Sequence, residues 1–86
     1  MQVNLNDLVA AYAGLARPTG YYATALRHLI GEREATLRTE IARLAVEAAT
    51  RQHWTPEHRD RMLHFAEHGA AGDLEATWRY LAGLAH

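Results

Sequence analysis

Residues 21–52, YYATALRHLIGEREATLRTEIARLAVEAATRQ, decide the fold of this 86-residue chain. Leu26, Ile30, Leu37, Ile41, Leu44 and Ala48 recur at intervals of 4, 7, 4, 3 and 4, close to the seam of a coiled coil. Glu34/Arg38 and Glu47/Arg51 add i,i+4 pairs in the favourable Glu-first order. The stripe is interrupted at Arg33, just after Gly31, which leaves two readings. Either the helix breaks near Gly31, or it continues and its halves pack on different partners. Unbroken, it spans roughly 45 Å at 1.5 Å per residue. That is longer than a compact domain of this size is wide, and it favours a dimer. A second face carries Thr24, Gly31, Ala35, Ala42, Val46 and Ala49. Such small residues let another helix approach closely, although alanine also serves simply as the best helix former.

Breakers set off three shorter helical segments around this spine. Residues 5–16 carry Leu5, Leu8, Tyr12 and Leu15 on one face, with Val9 and Ala16 beside them. Asn4 or Asn6 is placed to cap this segment, and Asp7 suits its positive end. Pro18 stops it by pushing Arg17 out of the helical region. The third segment opens with Thr55-Pro56-Glu57, a hydroxyl cap, a first-turn proline and a first-turn carboxylate. Trp54 is placed for a hydrophobic staple. Met62, Leu63, Phe65 and Ala66 form the apolar face, and Gly69 reads as the residue after the C-cap. The fourth segment, residues 74–85, takes Asp73 as its cap. Leu74, Trp78, Leu81 and Ala85 make its core face, and Thr77, Tyr80 and Leu84 form a second apolar patch. Glu75 and Arg79 leave only a narrow polar strip, so this helix is apolar around most of its circumference and reads as buried on two sides.

The expected fold is therefore a single all-α domain over residues 1–86. It is a small bundle of four helices, or five if the long central helix breaks near Gly31. Length supports one domain and not two. Cysteine is absent, which removes disulfides and thiolate chemistry and points to an intracellular, cytoplasmic setting. The first residues lack the basic and apolar regions of a signal peptide, and no apolar run reaches the ~20 residues that cross a bilayer. All nine basic residues are arginine and seventeen residues are alanine, as in a GC-rich coding sequence of a high-GC bacterium or its phage.

Reactive side chains offer little. Serine is absent along with cysteine, and no glycine-rich loop follows a strand, so neither a catalytic nucleophile nor a nucleotide motif is expected. Asp60, His64 and His68 have metal-ligand spacing on a helix, but they lie opposite the core face and read as a solvated polar surface. His58 reads as packed at the core border beside Phe65. No metal, cofactor or enzyme activity is expected.

Two functional readings remain. The preferred one is a non-enzymatic protein-binding module, an adaptor or inhibitor of the kind mobile elements encode, acting as a homodimer. Its expected contact residues are Tyr21, Tyr22, Tyr80 and Leu84, since aromatic side chains anchor interfaces. The alternative is a helix-turn-helix-like DNA-binding regulator, with the third segment as recognition helix and Arg59 and Arg61 reaching base or phosphate. The net charge of −1, with Glu57 and Asp60 beside those arginines, disfavours it.

Overall fold

The long helix does not break. In the computed structural model, which describes residues 3–84, α2 runs without interruption over Tyr21–Arg51 and passes straight through Gly31. A helical glycine costs only about 1 kcal/mol relative to alanine. Apolar packing on both sides of Gly31 outweighs that. Ala23 and Leu26 are buried before it, and Leu37, Ile41, Leu44, Ala45 and Ala48 after it.

α1 (Leu5–Ala13), α3 (Pro56–His68) and α4 (Leu74–Leu84) all pack on this spine. α1 starts level with Arg33 and returns toward Tyr21, so it lies antiparallel to the N-terminal half of α2. α3 descends antiparallel along the other half, tied near Ala49 at its start and to Arg38 at its end. α4 begins opposite Arg33 and finishes beside Ala48 and Arg51, parallel to α2. α2 thus changes partners at Arg33, with α1 ahead of it and α3 and α4 from there onward. The result is long and thin, 48 × 25 × 15 Å, with a Cα radius of gyration of 15.1 Å. A compact chain of this length has a radius of about 12 Å.

Local chemistry sets each boundary. Asn4 caps α1, its Oδ1 accepting from the Asn6 and Asp7 amides. α1 ends at Ala13 and not near residue 16, because the Leu15 amide turns back to the Tyr12 carbonyl and tightens the last turn well before Pro18. Gly20 starts α2 at φ 93° and ψ −179°, a conformation that only glycine adopts readily. α2 closes with His53 in the left-handed region (φ 53°) and the Trp54 amide bonded to the Ala49 carbonyl, a Schellman closure built on histidine.

Thr55 caps α3 as expected, its Oγ1 accepting from the His58 amide. Gly69 ends α3, but in the extended region and not the left-handed one (φ −64°, ψ 157°). Glycine is needed there because the Phe65 ring and carbonyl fill the space a Cβ would occupy. Asp73 does not cap α4. A 3₁₀ turn, Ala71–Asp73, leads directly into the helix, with the Asp73 amide on the Ala70 carbonyl.

The buried core joins Leu5, Leu37, Ile41, Leu44, Ala45, Ala48, Ala66, Leu74 and Leu81. Ala85, expected on the α4 core face, lies outside the described residues. No helix is long and apolar enough to cross a membrane among the described residues.

Candidate functional site

At the waist, where α2 changes partners, an ionic node ties three helices together. Arg33 meets Glu75 at two points, Nε to Oε1 at 2.8 Å and Nη2 to Oε2 at 3.1 Å. The Leu5 amide, the first of α1, donates to the same Oε1 at 2.8 Å. Arg33 also lies over the Trp78 ring, 5.6 Å from its centre. Glu75 is 4% exposed, so it is no part of a polar strip on α4, as its place in the sequence suggested. Arg33 breaks the apolar stripe because it reaches out of α2 to this carboxylate. The guanidinium holds the Glu75 carboxyl below its ordinary value of 4.5; burial opposes this, and the Leu5 amide adds to it. No buried side-chain polar atom is without a hydrogen-bond partner among the described residues. Both carboxylate oxygens are partnered, so the node reads as a structural joint.

The open surface lies elsewhere. Among the described residues the exposed large apolar side chains are Val3, Val9, Tyr21, Tyr22, Leu29, Val46 and Tyr80. Five of these seven sit on the arm formed by α1, the residue before its cap, and the N-terminal half of α2. Tyr21 is 92% exposed and Tyr22 61%. Tyr22 and Leu29 stand two turns apart on one face of α2. Sequence reasoning found the tyrosines and missed Leu29, which lies on neither apolar stripe of α2, and Val9, which was set beside the apolar face of α1.

Tyr80 is 61% exposed on α4, whereas Leu84 packs against the core and closes a crevice with Leu44, Ala48 and Leu81. The small face of α2 is largely open. Beside it Thr39, Ala42, Leu63 and Ala66, flanked by Arg38 and Glu67, line a shallow groove of about 410 Å³ between α2 and α3.

Arg59 and Arg61 are both exposed on the first turns of α3, and Arg59 faces Asp60 at 3.8 Å. Contacts at both ends of the α2–α3 pair make it an antiparallel αα-hairpin. His58 is exposed and sets its ring edge-on to Trp54, 4.3 Å between centres, and not beside Phe65. The N4 position that a hydrophobic staple would use is Arg59, so Trp54 meets the N3 side chain and not a staple partner. His64 and His68 bring their rings to 4.8 Å, but no group of three or more His, Asp or Glu side chains converges among the described residues.

Comparison with known proteins finds no matching family model, no similar curated protein and no similar solved structure.

Proposed function

We propose that the protein works inside the cell as a non-enzymatic binding module, an adaptor or inhibitor that occupies a surface of another protein. The observation that supports this most is an excess of open surface, with large apolar side chains among what it exposes. The chain exposes 5943 Å². A compact monomer of 9.6 kDa exposes about 5,100 Å². The excess carries two exposed tyrosines on one arm and a third on α4, the residue type that gives the most contact area for little lost side-chain freedom.

The test is affinity capture from a lysate of the source organism, comparing the wild-type chain with a Tyr21→Ser/Tyr22→Ser/Tyr80→Ser variant of equal helicity. The expected result is one defined protein retained in stoichiometric amount by the wild type and lost by the variant. Equal retention by both, or no stoichiometric partner, overturns the reading.

A further inference from the structure

We infer that the arm is covered by a second copy of this chain, the two protomers pairing across a two-fold axis through α1 and the N-terminal half of α2. This rests on the reading of the exposed apolar surface as an association surface, and assigns one part of it an occupant.

Area gives the first argument. The chain exposes about 850 Å² more than a compact monomer of its mass. A standard interface removes about 800 Å² from each partner, so one such contact restores the ordinary ratio of surface to mass.

Architecture gives the second. From its waist at Arg33 onward α2 has α3 and α4 against it, whereas α1 is the helix that packs on α2 ahead of the waist. Two such two-helix arms complete a four-helix unit, which supplies Tyr22 and Leu29 with the neighbours they lack within one chain. A two-fold contact needs only one patch that complements itself.

Charge gives the third. Between residue 3 and the waist at Arg33 the fully charged residues are Asp7, Arg17, Arg27 and Glu32, two of each sign, whereas the rest of the chain is densely ionic. The arm offers no field to an acidic or basic partner and little like-charge repulsion to its own copy. Val46 and Tyr80 remain outside this contact, free for a foreign protein.

Sedimentation equilibrium with the untagged chain tests the pairing. The wild type at high micromolar concentration is expected to show twice the 9.6 kDa protomer mass. Tyr22→Glu/Leu29→Glu is expected to fall to the protomer mass with unchanged circular dichroism, while Tyr80→Glu stays paired. The chain has no cysteine, so Leu29→Cys and Tyr80→Cys each introduce a single reporter. Under mild oxidation Leu29→Cys should cross-link between protomers far faster than Tyr80→Cys. A monomeric wild type, a dimer indifferent to the arm substitutions, or equal cross-linking overturns the inference. Foreign-partner capture by a monomeric wild type would overturn this inference alone and leave the proposed function standing.

Discussion

Arg33 and Glu75, forty-two residues apart, meet at two points and share their carboxylate with the first amide of α1. One carboxylate thereby fixes the relative positions of α1, α2 and α4. Removing it leaves a largely buried guanidinium and a helix-end amide without their acceptor. Glu75→Ala is expected to cost about 3 kcal/mol in urea unfolding. The paired change Arg33→Met/Glu75→Leu should cost clearly less, because it removes both charges together. Equal losses would mean that the site contributes only packing.

The same carboxylate gives the fold an acid limit. Its native value lies below the ordinary 4.5, so the unfolded chain binds the proton more readily. The stabilisation is complete above 4.5 and is lost as the pH falls through the lower native value. Melting temperature followed downward from neutral pH should therefore drop in the acid range, and drop less steeply in Glu75→Gln. Parallel curves for the two proteins would assign the acid loss to other groups.

Gly31 lies in continuous helix with nothing within 4 Å of where a Cβ would stand. Gly31→Ala is expected to stabilise the protein by about 1 kcal/mol. For a domain this small that raises the melting temperature by roughly 4–8 °C. A fall in its place would mean that α2 needs to bend there.

His53 holds a left-handed backbone conformation that costs a side-chain-bearing residue roughly 1–2 kcal/mol. His53→Gly relieves it, and calorimetry should show a gain of about 1 kcal/mol, less than the whole strain because glycine also loosens the unfolded chain.

Gly69 predicts the opposite sign. A Cβ there meets the Phe65 ring and the carbonyl behind it, so Gly69→Ala is expected to lose about 1–3 kcal/mol as both shift. A Phe65→Leu background should recover part of that loss.

The helices were legible because their signals are local. Thr55-Pro56-Glu57 announced α3, and the stripe from Leu26 to Ala48 announced α2. Continuity through Gly31 was not legible, since it depends on what packs to either side. The role of Glu75 was hidden for a similar reason. Its partners are 42 and 70 residues away, and a carboxylate in the first turn of a helix looks the same whether it faces water or a guanidinium. The contact residues were legible only in part. Tyr21 and Tyr22 stand out by type, whereas Leu29 becomes distinctive only when a neighbouring helix fails to cover it.

The hydrogen bond between Leu5 and Glu75 also orders events in time. It closes a loop of 70 residues, an entropic cost of roughly 4 kcal/mol at (3/2)RT ln n. α1 and α3 can settle on α2 as hairpins of neighbouring sequence, at little such cost. The Leu5–Glu75 clasp is therefore expected to form late, once α3 has returned along α2 and brought the first turn of α4 to Arg33.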